Sequence, residues 1–411
     1  MFNWRKLILI LGFFIAVIFI AWLLYFFFFK PAPIVPPLVE PPTEIPPGPF
    51  PRVDPRIERP PVEIKPSVLP IEVEKIEEVS EIALGGLTKT TPLTFEFTQV
   101  PTLGPDGQKL LYYNREEGKF YQLLPDGTKS LLSEKNFPEV TKITWAPNRK
   151  KAILEFPDDS KILYDFSQER QTTLPKNWYD FSFASHSQEM TFLTKSDDPN
   201  NRWLAIAKPD GSGAKIIEPL GENFDKVQTS WSPNYQIIAL SRTGEALGGF
   251  RQEVLMIGQH GENFRSIIVE GRGFKAKWLP KGDRLLYHVW HPDNNYNPTL
   301  WIVDAQGENI GLNRENLGLN TWIDKCVFSK TDDYLYCAVP KELPEGAGLY
   351  PQLASKISDE FYKIDFNTGH QTLLAKPDDD FTIKDLVLSD DESYLYFTDQ
   401  NKVGIYKIQL K

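Results

Sequence analysis

The stretch Thr144-Trp145-Ala146-Pro147-Asn148-Arg149-Lys150-Lys151-Ala152-Ile153-Leu154 is a short apolar run, a turn and a second apolar run, and its outline recurs along the chain. Ser230-Trp231-Ser232-Pro233-Asn234 leads into Ile237-Ile238-Ala239-Leu240. Lys277-Trp278-Leu279-Pro280-Lys281-Gly282 leads into Leu285-Leu286-Tyr287, and Thr102-Leu103-Gly104-Pro105-Asp106-Gly107 into Leu110-Leu111-Tyr112-Tyr113. Weaker copies are Ser182-Phe183-Ala184-Ser185, Val327-Phe328-Ser329-Lys330 and Val387-Leu388-Ser389-Asp390. Aligned on the proline position, the copies sit at 105, 147, 185, 233, 280, 330 and 390, with spacings of 42, 38, 48, 47, 50 and 60 residues. Such a period marks an array of supersecondary units.

Each unit reads as four strands. Two flank the Pro-containing turn. A variable loop leads to a third, as in Leu300-Trp301-Ile302-Val303 and Ile405-Tyr406-Lys407-Ile408. A tight turn such as Asp126-Gly127 or Thr368-Gly369 leads to the fourth. Aromatic and β-branched residues between Gly-containing turns favour strands over helices. A four-stranded unit of this length is a propeller blade. The expected fold is therefore all-β: a seven-bladed β-propeller of four-stranded antiparallel blades over 83–411. The last unit has only three strands before Lys411, and residues 83–90 are expected to supply the fourth, closing the ring and removing two open edges.

With its strand–turn–strand context repeated seven times, the unit resembles the TolB-type, WD-like propeller repeat over about 83–411. Only the first copy keeps Pro-Asp-Gly intact. The resemblance implies a propeller and adds weight to a role in protein interaction in the cell envelope. It carries over no binding-site residue, because such blades serve many functions.

Residues 7–29 are 23 consecutive residues without a charge. As a helix they would span ~34 Å, enough for a bilayer. The run exceeds a signal-peptide core, and no small-residue cleavage site follows it, so an uncleaved signal anchor is expected. Arg5 and Lys6 precede it and only Lys30 follows closely, which favours residues 1–6 as a cytoplasmic stub and a propeller outside the cytoplasm, extracellular or periplasmic. Residues 31–70 hold 15 prolines. The 30–70 segment therefore reads as an extended linker, and 71–82 as an acidic lead-in. The absence of an Asn-x-Ser/Thr acceptor points mildly to a prokaryotic envelope.

Catalytic signals are scarce. There is no Gly-x-Ser-x-Gly elbow, phosphate loop or dinucleotide fingerprint. His288 and His291, near Asp293, would alternate faces on a strand and read as a strand end entering a loop. The Asp pairs do not fit the twelve-residue calcium loop and read as turns. No cofactor and no metal is expected. A net charge of −10 argues against nucleic acid. Cys326 and Cys337 fall opposite each other in the sixth unit's first hairpin, close enough for a disulfide; two buried thiols is the other reading.

In an up-down meander the first-to-second and third-to-fourth turns share one face, and here they are short. The second-to-third loops and the links between blades share the other. That face carries the long segments 195–201, 243–252, 291–298 and 341–357. Long loops on a rigid ring are where function concentrates. Trp178, Tyr179, Phe250, Trp290, Tyr296, Trp322 and Tyr350 are the candidate partner-binding anchors. The expected protein is a monomeric, non-enzymatic propeller held by one N-terminal helix and binding an envelope protein through its long-loop face. The alternative is an exported enzyme, or a glycan- or small-ligand-binding propeller with its site at the central channel.

Overall fold

A computed structural model describes residues 17, 19, 20, 22, 23, 78–262 and 264–411. By its contacts the chain divides into two units, 1–73 and 74–411. The described residues of the first are helical. Among the described residues no helix is long and apolar enough to cross a membrane. The stub at 1–6, most of the 7–29 span, the 30–70 linker and most of the 71–82 lead-in lie outside them.

The second unit is a seven-bladed β-propeller. Its blades run 98–131, 142–174, 178–219, 227–269, 272–316, 326–377 and 383–409, each a sheet whose strands neighbour one another in chain order. The first strands of neighbouring blades pack on one another, so they wall a central channel and the fourth strands lie outermost. The period-2 pattern explains the packing. Along Arg272–Trp278, Phe274, Ala276 and Trp278 are buried while Gly273, Lys275 and Lys277 are exposed toward the channel. Among the described residues each joint between blades holds an apolar cluster. At the closing joint, Tyr396 and Ile405 of blade 7 meet Leu110, Tyr112, Tyr121 and Leu123 of blade 1. The tryptophans before the turns reach back one blade: Trp145 Nε1 donates to Val100 O at 3.3 Å and Trp278 Nε1 to Ser230 O at 3.2 Å. These two are core residues with a polar edge satisfied across the joint, whereas the indole N–H of buried Trp231 has no hydrogen-bond partner among the described residues.

The turn that defines the repeat is built alike in all seven blades. A backbone bond closes it at the fourth residue, as in Gly107 N to Gly104 O and Arg149 N to Ala146 O. That residue has positive φ: Gly107, Arg149, Ser187, Tyr235, Gly282, Asp332 and Glu392. A type I turn followed by a left-handed residue is a favoured hairpin connection. The geometry persists where the Asp-Gly signature has gone.

Closure differs in register from the expected 83–90 strand. The strand that completes blade 7 is Thr91–Pro92, antiparallel to Ile405–Gln409. Leu87–Thr88 instead adds a fifth, parallel strand to blade 6 beside Gln371–Pro377. The chain first touches blade 7, where Ala83 N donates to Gln409 O at 2.9 Å. It crosses to blade 6 at Gly85-Gly86, whose backbone bonds Leu374 O and Lys376 N, both at 2.9 Å. Gly85 has φ +91, and a Cβ there would sit 3.0 Å from Leu373 O. The glycine pair therefore permits a detour that spacing alone does not reveal. Pro92 is tolerated because the strand is outermost.

Polar groups tie the later joints. The Lys325 ammonium reaches both Asp359 oxygens at 2.9 and 2.7 Å, and Asp359 also accepts from Ile383 N at 2.6 Å, linking blades 6 and 7. Removing one member of such a buried pair leaves an uncompensated charge. Cys326 and Cys337 form a disulfide, with Cα atoms 4.1 Å apart, between the first two strands of blade 6. His288 is buried in blade 5, and its Nδ1 accepts from Ile323 N at 3.3 Å.

Two stability predictions follow from closure and from this histidine. At Gly404, φ is +106 and a Cβ would lie 2.0 Å from Thr94 O in the closing segment. Gly404→Ala should destabilise by about 2–4 kcal/mol in denaturant melts. Gly127→Ala, at φ +90 in open space, should cost only about 1–2 kcal/mol. Equal losses would place the effect in backbone strain rather than in closure. Burial, only partly offset by Asp324 and reinforced by Lys275, lowers the His288 pKa to about 4. The unfolded chain then binds the extra proton between about pH 6.5 and pH 4. Stability should be full above that window and fall by up to about 3 kcal/mol as pH drops through it. His288→Gln should flatten that slope in urea melts.

Candidate functional site

The long loops of blades 4, 5 and 6 form one continuous structure. In blade 5 the chain leaves Arg284–Trp290, makes a one-turn 3-10 helix at Pro292–Asn294 and returns in Pro298–Asp304. The His291 ring caps that turn, its Nδ1 accepting from Asp293 N at 3.1 Å. Asn294 Nδ2 donates to Thr299 Oγ1 at 2.7 Å and Asn320 Oδ1 at 2.9 Å, which ties the loop to the outgoing strand and to the next interblade link.

The blade 6 loop is pinned onto this turn. Gly346 N donates to Asn295 O and Gly348 N to Tyr296 O, both at 2.8 Å. A Cβ on Gly348 would fall 2.5 Å from Tyr296 O and 2.6 Å from Trp290 Cβ, so only glycine fits this contact. Trp322, Ala347 and Ala354 form a small buried cluster beneath the loop, with Leu343 and Ile357 packed against it. A long connection is thereby held by hydrogen bonds and a satellite core rather than left free.

Beside the blade 5 turn, between blades 4 and 5, lies an aromatic cleft of about 810 Å³ lined by Phe250, His291 and Trp301. Phe250, 41 % exposed, stands on one side, its ring centroid 6.2 Å from Trp290 and 5.6 Å from His291. Trp290 contacts Tyr296 at 5.9 Å. Trp301, Asn294 and Thr299 contribute from blade 5, and Arg251 and Glu270 from blade 4. Glu270 is paired with Arg314 at 2.6 Å. The arrangement offers aromatic faces beside hydrogen-bonding groups, suited to a ligand or chain that is partly apolar and partly polar.

Four of the seven sequence candidates gather in this region. Phe250, Trp290 and Tyr296 touch in sequence, and Tyr350, 58 % exposed, belongs to the pinned loop. The other three lie elsewhere. Trp178 is 8 % exposed and stacks on Phe192 at 3.7 Å inside blade 3. Trp322, 9 % exposed, supports the loop from below. Both lie inside the protein: Trp178 opens the first strand of blade 3 and packs in its joint with blade 2, and Trp322 sits in the link before blade 6. Tyr179 lies at blades 2 and 3 with Lys161 Nζ 4.1 Å from its ring centroid; burial, then a hydrogen bond with Asp159, raises its pKa. His291, Trp301 and Arg251 were not singled out as anchors. They come from a strand interior and from loop positions with no shared motif. Among the described residues no group of three or more His, Cys, Asp or Glu is placed to hold a metal ion.

No family model matches the chain, and no curated protein matches it. Among solved structures it is similar to an oligogalacturonate lyase in complex with manganese, at 14 % identity over 78 % of this chain and 93 % of that one, with a TM-score of 0.55. It is also similar to the β-propeller domain of Cps50 (Swd1) from Myceliophteria thermophila, at 11 % identity over 78 % of this chain and 100 % of that one, with a TM-score of 0.52. At such identities these likenesses show the fold alone: a seven-bladed β-propeller.

Proposed function

We propose that this protein is a membrane-anchored, extracytoplasmic β-propeller that acts as a protein-interaction or scaffold module of the cell envelope, binding through its long-loop face, and that it is not an enzyme. The observation that carries the reading is the pinned aromatic rim. Phe250 and Tyr350 are exposed; the loop carrying Tyr350 is fixed by Gly346, Gly348 and the Trp322 cluster, and the loop carrying Phe250 meets His291, whose Nε2 lies 3.3 Å from Gly249 O. Aromatic anchors often dominate interface energies. Anchors already held in place lose less entropy on binding. The uncharged run 7–29 and the 15 prolines of 31–70 support a helix anchor with an extended stalk.

The test uses the full chain as bait for cross-linking in native membranes, beside the double variant Phe250→Ala, Tyr350→Ala. Two lost anchors of ~1–2 kcal/mol each should cut partner recovery by at least about ten-fold. Both changed residues are exposed, so the melting temperature should hold. Equal recovery by both baits would remove this face from the interaction. Carbonate extraction checks the anchor: the full chain should stay with the membrane pellet, and a variant lacking 7–29 should not.

A further inference from the structure

The opposite face, where the short turns lie, is laced together at six of its seven joints. Asn148 N donates to Ser187 Oγ at 3.0 Å and Ser185 Oγ to Pro233 O at 3.2 Å. Asn234 Nδ2 donates to Gly282 O at 2.6 Å and Lys281 N to Asp332 Oδ2 at 2.9 Å. Lys330 Nζ pairs with Asp390 at 2.7 Å, and Asp390 N donates to Gly107 O at 3.3 Å. Among the described residues no hydrogen bond joins the turns of blades 1 and 2. Arg149 stands at that gap.

Arg149 lines two adjoining hollows: one of about 340 Å³ between blades 1 and 2, the other of about 450 Å³ at the channel mouth. It is half-buried, and its guanidinium has no hydrogen-bond or ion-pair partner among the described residues. Burial lowers its pKa against the pull of Asp390. Lys277 reaches the same mouth from blade 5. One of its three N–H groups goes to Cys326 O at 3.0 Å. The mouth thus carries three cations, Arg149, Lys277 and Lys330, and one carboxylate, Asp390, which Lys330 already engages. Such a cationic spot is unexpected on a chain of net charge −10. The rest of the wall is largely apolar: Leu103, Val327, Phe328 and Val387 are each only half-buried.

We propose that this channel mouth binds an organic carboxylate carrying an apolar body. Arg149 and Lys277 take the carboxylate, and Leu103, Val327, Phe328 and Val387 take the body. Charge-assisted bonds to a guanidinium and an ammonium are the strong ones, and they gain from the low-dielectric wall. A neutral analogue would leave both cations unpaired, and inorganic phosphate would leave the apolar wall uncovered. The site lies on the face opposite the aromatic cleft, so it stands or falls independently of the interaction reading.

The experiment is isothermal titration of the full-length chain in lipid nanodiscs with 3-phenylpropionate, alongside 3-phenylpropan-1-ol and inorganic phosphate. The acid should bind, and the alcohol and phosphate should bind at least about ten-fold more weakly. Arg149→Gly and Lys277→Met should each weaken the acid by at least about ten-fold. Arg149 has φ +58 at the turn position where blades 1 and 5 carry Gly107 and Gly282. Glycine is at ease there, so Arg149→Gly should melt no lower than the parent, and lost binding in that variant is not lost folding. The proposal is overturned if the parent gives no heat with the acid at millimolar concentration, or if both variants bind it as the parent does. Alcohol binding as tight as the acid removes the charge recognition. Phosphate binding as tight as the acid, lost in the same variants, makes the mouth a bare anion site instead.

Discussion

A four-stranded sheet has two apolar faces, and each must be covered. In a line of blades the two end faces stay wet; in a ring none does, provided the last joint closes. Everything else in this propeller rests on that joint. Tyr396 and Ile405 meet the blade 1 tyrosines there, and the fourth strand of blade 7 comes from the other end of the domain. The same segment also adds a parallel strand to blade 6, so one stretch of chain holds two blades. Gly404 and Gly85 mark where backbones come too close for a side chain.

Much of this architecture is legible in the sequence, because the repeat is written in two independent signals. The large apolar residue before each turn fills a joint, and the turn residues set the hairpin. Trp145, Trp231 and Trp278 keep the first signal where the second has drifted. The drift is itself physical: a left-handed residue is easiest for glycine, yet Arg149, Ser187, Tyr235, Asp332 and Glu392 occupy the position because each neighbouring strand pair fixes it. The closing register was not legible. A count from the next turn cannot see that Gly85-Gly86 carries the chain across to blade 6 before it returns.

The candidate surfaces were legible only in outline. Loop length picks out the face that carries the aromatic cleft, and Phe250 and Tyr350 are exposed there. Trp178 and Trp322 show the limit: a tryptophan at the start of a blade or in the link before one has the same letters whether it faces solvent or the core. The cleft draws Arg251, His291 and Trp301 from separate parts of the chain, and the channel mouth brings Arg149 and Lys277 together from blades 2 and 5. Such meetings depend on the ring's curvature, which no short motif encodes. The two faces are also stiffened differently. The short turns are laced side to side, whereas the long loops are propped by glycine contacts and a small core of their own.

The closing strand also sets the order of events when the chain is made. Ile405 N bonds Thr94 Oγ1 across 311 positions of sequence. Joining ends that far apart in a free chain would cost about 5 kcal/mol in loop entropy. Most of that cost is met as the intervening blades dock, because each curves the growing arc and brings the ends together. Synthesis delivers residues 78–94 first and their partners last. Until then the early segment has no sheet to join, and the arc presents an open face at each end. A partly made chain in that state carries its most adhesive surfaces uncovered until the last blade docks.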